Sequence, residues 1–157
     1  MSHRNPQPRR TPVLARHSQH LHHTTTVKLL ADPRTTYLAV TAYGDDHVAI
    51  NGRALRRSLL LLPDRIDELW GPAENATLTI EHLAALATLT CDVLLLGTGV
   101  KQRFPPPAQL RPLIEAGRAI EVMNTQAACR TYNILVAEGR IVAAALIIDG
   151  NQAPITP

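Results

Sequence analysis

The stretch IEVMNTQAACRTYNILVAEGRIVAAALII, from Ile120 to Ile148, decides how this chain folds. Its first residues alternate between apolar and polar, as in a short strand with two different faces. Asn124 favours a turn, and Thr125 is placed as the N-cap of a helix. Gly139 is placed to end that helix in the left-handed conformation. The apolar run 141–148 then predicts a strand that is buried on both sides.

The helix predicted between these strands has an apolar face and a polar face. At about 100° per residue, the apolar stripe contains Ala128, Cys129, Tyr132, Leu135 and Val136, and the polar stripe contains Gln126, Arg130 and Asn133. A helix that covers a sheet normally leaves a polar stripe in water. We expect Arg130 instead to bind loop carbonyls near Thr98 and Asn124, because a guanidinium has five donors in a fixed plane. The open alternatives for Arg130 are a ligand-binding residue and a solvated charge.

The remaining elements predict an α/β fold: a single three-layer domain with a mixed central sheet. Segments 36–43, 47–50 and 58–62 are predicted as antiparallel strands separated by turn residues. Alternating strand and helix units follow. Thr79 is the expected cap of the first long helix, 93–96 is an apolar strand, and Gly117 ends a short helix that has Pro112 in its first turn. Right-handed crossovers then make this half of the sheet largely parallel.

Composition divides the chain into a basic tail and one domain. Residues 1–34 contain six Lys and Arg against one acid, whereas the remainder contains ten against twelve, so the formal charge of +3 comes from the tail. The tail has Pro residues and no apolar periodicity, which predicts disorder over 1–34, a single domain over 35–150 and a short C-terminal tail over 151–157. Aromatic residues are only 3% of the chain. Because the domain is not basic and has few stacking side chains, a nucleic-acid partner is not expected.

The first 34 residues also bear on location and metal binding. They contain no apolar run of signal-peptide length, which favours a cytoplasmic protein over a secreted one, with an organelle transit peptide as the lesser alternative. His20, His22 and His23 lie close together, but no Cys or carboxylate completes a metal site beside them. We therefore predict no metal and no transmembrane segment.

Several strings in the domain carry a resemblance to a known family. These are EVMNT at 121–125, AACRTYN at 127–133, EGR at 138–140, AAAL at 143–146 and LLLGTG at 94–99, with a weaker match at Leu62, Pro63 and Trp70. Together they resemble a widespread small bacterial domain-of-unknown-function family that has a mitochondrial relative, an assembly factor for respiratory complex I. The resemblance spans roughly residues 35–148. It implies a three-layer α/β domain, no established reaction and an assembly or interaction role. Many relatives have Asp where this chain has Asn124, which removes a formal charge there.

Two loops are expected to meet at one edge of the sheet. Gly97, Thr98 and Gly99 follow one predicted strand, and Asn124 and Thr125 follow the next. If these strands are parallel, both loops emerge at the edge where α/β proteins commonly bind ligands. Free amides at the helix start favour an anion, with Arg130 or Arg103 adding charge. The structural alternative is that the glycines only permit a tight turn.

Known chemical motifs are incomplete in this chain. The glycines at 97 and 99 lack the spacing and the following Lys of a phosphate loop, so no nucleotide cofactor is expected, and no other cofactor is predicted. Cys129 lies in the first helical turn, but no sequence feature places His47 or His82 beside it, and a buried free thiol is favoured. A Glu121 and Glu138 acid–base pair is disfavoured because each has a structural alternative.

Two functions from different classes follow from these observations. The first is a non-catalytic interaction or assembly-factor-like domain with a protein partner. The alternative is a small-molecule site, catalytic or not, that binds an anionic ligand at the loop edge formed by Gly97–Gly99 and Asn124–Arg130. The missing nucleophile–base pair favours the first.

Overall fold

The computed structural model describes residues 25–29, 36–72 and 77–149. Within these ranges the first sheet has four strands, β1 (Val27–Lys28), β2 (Val40–Tyr43), β3 (Val48–Ile50) and β4 (Arg53–Leu55). Every neighbouring pair is antiparallel, and the strands lie in chain order. Asn51 and Gly52 both have positive φ, at 46° and 85°, as a two-residue hairpin turn requires. This sheet is therefore a simple meander.

The second sheet is mixed and contains the strands that position the candidate site. Its strands are β5 (Leu59–Leu61), β6 (Ile66–Asp67), β7 (Val93–Thr98), β8 (Glu121–Met123) and β9 (Val142–Ile147), in the spatial order β6-β5-β9-β7-β8. β7 is parallel to β8 and to β9, whereas β5 is antiparallel to β6 and to β9. This confirms the mixed sheet and the parallel strand–helix half that were predicted.

Three helices in the described residues complete the layers. They are α1 (Ile80–Ala87), α2 (Arg111–Glu115) and α3 (Thr125–Ala137). Alternate residues of β7 show how the layers are arranged. Leu94 and Leu96 pack in a cluster with Leu83 of α1 and Leu113 of α2, while Leu95 packs in a second cluster with α3 and the first sheet. The mixed sheet is thus buried on both faces, which explains its continuous apolar runs.

The predicted mixed sheet is present, but the N-terminal antiparallel strands divide between two sheets. The segment predicted as the third strand, at 58–62, forms β5 and pairs with β9 in the mixed sheet, with Leu59 opposite Leu146. The first sheet is completed instead by β4, which was not predicted. Periodicity identifies a strand but carries no information about its partner, so the exchange of sheets between residues 55 and 59 left no signal.

The predicted start of the domain near residue 35 is too late for the described segment 25–29. β1 pairs with β2, and the backbone N–H of Leu29 donates to the carbonyl of Thr41 at 2.8 Å. A strand of two residues, such as β1, is too short for an alternating pattern to be recognised in the sequence. Residues 1–24, including the three clustered histidines, and the predicted C-terminal tail lie outside the described residues.

The caps of the first two helices confirm the sequence predictions. Thr79 is the N-cap of α1, and the side chain of His82 accepts the backbone N–H of Thr79 at 3.0 Å in a reciprocal capping arrangement. Pro112 lies in the first turn of α2, and Gly117 follows that helix with φ of 64°. Gly139 has φ of 82° directly after the end of α3. Turn and cap chemistry is local, and it was predicted correctly here.

Candidate functional site

The two predicted loops do meet at one edge of the mixed sheet. β7 and β8 are parallel neighbours, with Gly97 opposite Met123. Gly99 and the start of α3 therefore leave the sheet side by side. The backbone N–H of Thr125 donates to the carbonyl of Gly99 at 2.9 Å, which joins the two loops directly.

Asn124, and not Thr125, is the N-cap of α3. Asn124 has extended backbone, and its Oδ1 accepts the N–H of Ala127 at 2.8 Å. Thr125 is the first helical residue. The prediction was wrong by one position because Asn and Thr are both good N-caps, and their order alone does not select one. The side chain of Thr125 is thereby free for another role.

Thr125 ties three parts of the mixed sheet together. Its buried hydroxyl donates to the carbonyl of Ile147 at 2.6 Å, at the end of β9. The same oxygen accepts the buried N–H of Gly99 at 2.8 Å, just after β7. Thr125 therefore satisfies a donor and an acceptor that two different strand ends would otherwise leave unpaired.

Two glycines allow this close approach. A Cβ built on Gly97 would lie 2.9 Å from the Cα of Thr125, which is backbone and cannot rotate away. Gly99 has φ of 95°, and a Cβ there would lie 2.4 Å from Oδ2 of Asp149. That carboxylate oxygen accepts the N–H of Val100 at 2.9 Å. Gly97 is thus required by close packing against α3, and Gly99 by its positive φ and by the Asp149 carboxylate beside it.

Thr98 fixes the loop that follows β7. Its hydroxyl donates to the carbonyl of Lys101 at 2.7 Å and accepts the N–H of Arg103 at 2.9 Å. The amide of Gln102 donates to the carbonyl of Val122 on β8 at 3.1 Å. Side chains and backbone of segment 98–103 therefore bind each other and the neighbouring strand.

These contacts bear on the predicted anion site. The amides of Gly99, Val100, Arg103, Thr125 and Ala127 all donate to protein atoms at this edge. An anion needs several free donors that converge on one point. The residues expected to bind a ligand were brought together correctly, except for Arg130, but their polar groups are used within the fold. Ligand binding by them stays a prediction.

Arg130 does not bind the loop carbonyls, so that prediction is wrong. Its side chain is on the exposed surface of α3, where Nη1 donates to the hydroxyl of Tyr43 at 2.9 Å. The guanidinium carbon also lies 5.8 Å from the centre of the Tyr43 ring, within the range of a cation–π contact. At the fifth residue after Thr125, the helix has turned this side chain toward β2 of the first sheet.

All three side chains of the polar stripe of α3 bind the first sheet or its β2–β3 turn, although Arg130 stays exposed. Gln126 donates to Asp45 at 3.0 Å. Asn133 accepts the N–H of Val40 at 2.9 Å and donates to its carbonyl at 2.8 Å, as a neighbouring strand would. The pairing of β2 with β3 shifts register between Val40 and Ala42, so this strand is irregular at the point where Asn133 binds it. Periodicity could not distinguish this face from a solvated one.

Cys129 is buried, as predicted, and has no access to a substrate. Its side chain has no exposed surface, and burial raises the pKa of the thiol to about 12. The thiolate that a nucleophile requires is therefore strongly disfavoured. One turn away, the hydroxyl of Tyr132 donates to the carbonyl of Leu38 at 2.8 Å, and burial raises the pKa of this group also.

Both histidines of the domain have structural partners. His47 contacts Oδ1 of Asp46 at 2.8 Å, and Arg56 binds the other oxygen of that carboxylate at 2.6 Å. The hydrogen bond from His47, aided by Arg56, lowers the pKa of Asp46 below its ordinary value despite partial burial. Arg56 lies close to Asp46 only because the hairpin of β3 and β4 folds back, so neighbouring residues in the sequence do not indicate this cluster.

A cleft lies beside this edge and was not predicted. It has a volume of about 680 Å³ and includes Thr98 and Arg103 among the residues expected at the anion site. Its apolar lining comes from Pro72, Leu78, Phe104, Pro105, Pro106, Ile147 and Ile148, and its polar lining comes from Ser58, Thr77, Thr98, Arg103, Gln109 and Asp149. The sequence signal was Phe104, an aromatic residue directly before three consecutive prolines.

The described part of the chain was also searched for metal sites and membrane spans. Among those residues, no three His, Cys, Asp or Glu side chains are grouped closely enough to bind a metal ion. None of the helices in the same ranges combines the length and the apolar character needed to cross a bilayer.

Comparison with known proteins gives a family match and relatives that align with part or most of this chain. The family model described as a protein of unknown function, DUF498/DUF598, matches residues 40–147. NADH dehydrogenase [ubiquinone] 1 alpha subcomplex assembly factor 3 of Xenopus tropicalis is 32% identical over 143 residues, which cover 90% of this chain and 78% of that protein. The 13 kDa major membrane protein of Francisella tularensis is 32% identical over 84 residues, covering 54% of this chain and 63% of that protein.

A solved structure agrees with the architecture. A Mth938-like domain from Bordetella pertussis is 36% identical, with a TM-score of 0.62 over 81% of this chain and 96% of that domain. At this identity the likeness extends beyond the fold to the sequence.

Proposed function

Because the chain belongs to the family of proteins of unknown function DUF498/DUF598, we propose that it is a non-catalytic interaction domain with an assembly-factor-like role. The observation that carries this proposal is the similarity to a complex I assembly factor over 90% of the chain. What is proposed is that this chain binds a protein partner during assembly of a larger complex. Its partner need not be the one that the eukaryotic relative has.

The state of the reactive side chains supports a binding role over a catalytic one. Cys129 is enclosed, and its thiol pKa is raised to about 12 by burial. His82 is engaged in the cap of α1, and His47 is engaged with Asp46. Each group that resembles a catalytic residue therefore stabilises the fold. An anionic ligand at the loop edge remains the alternative, although the donors there already have protein partners.

The test is affinity purification of the tagged full chain from its native cell after chemical cross-linking, with proteins and small molecules identified together. We expect one or more protein partners in near-stoichiometric amount. A deletion strain should contain less of the assembled partner complex on a native gel. Recovery of a metabolite at one copy per chain, without a protein partner, would contradict the proposal.

A matched pair of variants separates binding from thiol catalysis. Cys129→Ala removes the only thiol near the candidate edge while keeping an apolar side chain in the core. In the deletion strain it should restore the complex as well as the wild-type chain does, provided that it accumulates to the same level. Failure of Cys129→Ala at normal abundance would indicate thiol chemistry.

The cytoplasmic location is part of the same proposal and stays a prediction. The competing location is a membrane surface, because the Francisella relative is named a membrane protein. Cell fractionation with markers for both compartments measures it, and we expect the chain in the cytoplasmic fraction.

A further inference from the structure

The cleft beside the sheet edge has the size of a binding site and a largely apolar wall. Its volume of about 680 Å³ lies within the range of about 300–1,000 Å³ that is typical of ligand-binding pockets. Ile147 and Ile148 form its wall at the end of β9, and Phe104, Pro105 and Pro106 form another wall. Pro72 and Leu78 also line the cleft, so its apolar surface comes from three separate parts of the chain.

The rim of the cleft is exposed but held in place. Phe104 is 73% exposed, whereas Pro105 beside it is buried and anchors the segment. The backbone of Arg103 is bonded to the hydroxyl of Thr98, at the end of a central strand. Backbone that is held in place before binding loses less entropy when a partner arrives. An exposed aromatic side chain on such a backbone is of a type that is enriched at protein interfaces.

Two positive side chains lie at this rim, and one acidic side chain lies in the lining of the cleft. Arg103 lines the cleft, and Lys101 is exposed two residues before it. Within the described residues, no carboxylate lies within ion-pair distance of either side chain. Asp149, the acid in the lining, has one oxygen engaged with the N–H of Val100. A partner with a carboxylate would therefore complement the rim.

We propose that this cleft binds an extended peptide segment of a protein partner, which places an apolar side chain against Phe104 and an acidic side chain against Arg103. The proposal rests on the interaction role proposed above and assigns it a surface. The polar lining groups Thr77 and Gln109 belong to separate parts of the chain, whereas the hydroxyl of Ser58 already accepts the N–H of Ile148 at 3.2 Å. Separate hydroxyl and amide groups suit the successive N–H and C=O groups of a peptide. A small anion would need donors that converge.

The experiment uses a phage-displayed library of random nonapeptides, selected against the full chain. Selected peptides are synthesised with a fluorescent label, and their Kd is measured by anisotropy. We expect sequences with an apolar residue close to an Asp or Glu. Phe104→Ala and Arg103→Glu should each weaken binding by about tenfold or more. Changing the acidic peptide residue to Lys should weaken binding to the wild-type chain and recover binding to Arg103→Glu.

Two matched variants outside the cleft control for general changes of surface. Ile114→Ala removes an exposed apolar side chain of α2 that is 67% exposed, and Arg111→Glu reverses an exposed charge on the same helix. Both should leave the peptide Kd within about twofold. The unfolding midpoint of each variant shows that the fold is retained, since all four side chains are exposed.

Several results would overturn the proposal. The first would be a selection that yields no peptide with a Kd below about 1 mM, or control variants that weaken binding as much as the cleft variants do. The second would be tighter binding of phenylpropionate, a small anionic probe, than of any peptide. The third would be a dimer, seen by sedimentation, that Phe104→Ala dissociates, because the occupant of the cleft would then be a second copy of the chain.

Purification from the native cell separates failure of this site from failure of the function. If the wild-type chain has a protein partner and the Arg103→Glu/Phe104→Ala double variant retains it, the interaction role stands and the peptide site is refuted. If the wild-type chain has no protein partner, the proposed function itself fails. Loss of the partner in the double variant alone supports both.

Discussion

The hydroxyl of Thr125 should contribute more to stability than any N-cap would. Replacing Thr125 by Val keeps the shape of the side chain but removes its oxygen. The buried N–H of Gly99 then loses its acceptor, and the carbonyl of Ile147 loses a donor at 2.6 Å. Each buried group left unpaired costs about 1–3 kcal/mol, so we expect Thr125→Val to lower the free energy of unfolding by about 2–5 kcal/mol.

Two further variants isolate the role of the hydroxyl. Thr125→Ser keeps both hydrogen bonds and loses one methyl group, which should cost about 1 kcal/mol. Thr131→Val is the matched control on the same helix, because the hydroxyl of Thr131 contacts only the sulfur of Met123, at 3.5 Å. It should change stability by less than about 0.5 kcal/mol.

Urea denaturation at equilibrium, followed by circular dichroism, measures these differences, provided that the m-value stays constant. For a domain of this size, each kcal/mol should also shift Tm by roughly 3–5 °C. Equal losses for Thr125→Val and Thr125→Ser would refute the reasoning. The methyl group would then be the important part of the side chain, and the two strand ends would find other partners.

Three further predictions concern the polar groups around α3 and the first hairpin. Asn133→Ala should lower the free energy of unfolding by about 2–4 kcal/mol, because the buried strand residue Val40 loses partners for both its N–H and its carbonyl. Arg130→Ala should lower it by less than about 1 kcal/mol. Urea midpoints compare the two variants, and a larger loss for Arg130→Ala would contradict the contacts. Asn124→Ala should lower the free energy of unfolding by about 1 kcal/mol, because the N-cap of α3 is lost. Asn124→Asp should be neutral or stabilising at neutral pH, since Asp also caps a helix and its carboxylate favours the helix N-terminus. Thermal melts measure both variants, and equal Tm values for them would argue against the cap. The hydrogen bond from His47 is the main cause of the lowered pKa of Asp46 in the folded state, so the carboxylate should stabilise the fold above the ordinary pKa of an aspartate and lose this effect as pH falls through the lowered value. The free energy of unfolding between pH 6 and pH 3 should therefore fall less steeply for Asp46→Asn than for the wild-type chain. An unchanged slope would show that the carboxylate does not contribute to stability.

The elements of the parallel half could be predicted because each carries its own local signal. The apolar run at β9 and the glycine after α3 depend only on neighbouring residues. The meeting of Gly99 and Thr125 also followed, since parallel strands end at one edge. Local chemistry and the topology rules were sufficient for this part of the site.

Apart from the one-position error at the N-cap of α3, the errors concern contacts between residues that are far apart in the sequence. Nothing near β5 shows that it pairs with β9 and leaves the first sheet. The stripe containing Asn133 resembles a solvated face because periodicity reports polarity but not the neighbour, which here is the backbone of Val40. The position of Arg130 was wrong for the same reason, since its partner is the hydroxyl of Tyr43.

The division of the N-terminal strands between two sheets has a consequence for synthesis on the ribosome. The side chain that binds the backbone of Val40 belongs to Asn133, which is made 93 residues later. The backbone N–H that binds Ser58 belongs to Ile148, which is made 90 residues later. At about 5–20 residues per second, the Leu-rich segment 59–62 is therefore made roughly 5–20 s before its last partner. Contacts this distant in sequence also slow folding. The nascent chain thus carries β5 before β9 exists to pair with it, and we expect a chaperone to bind this segment first.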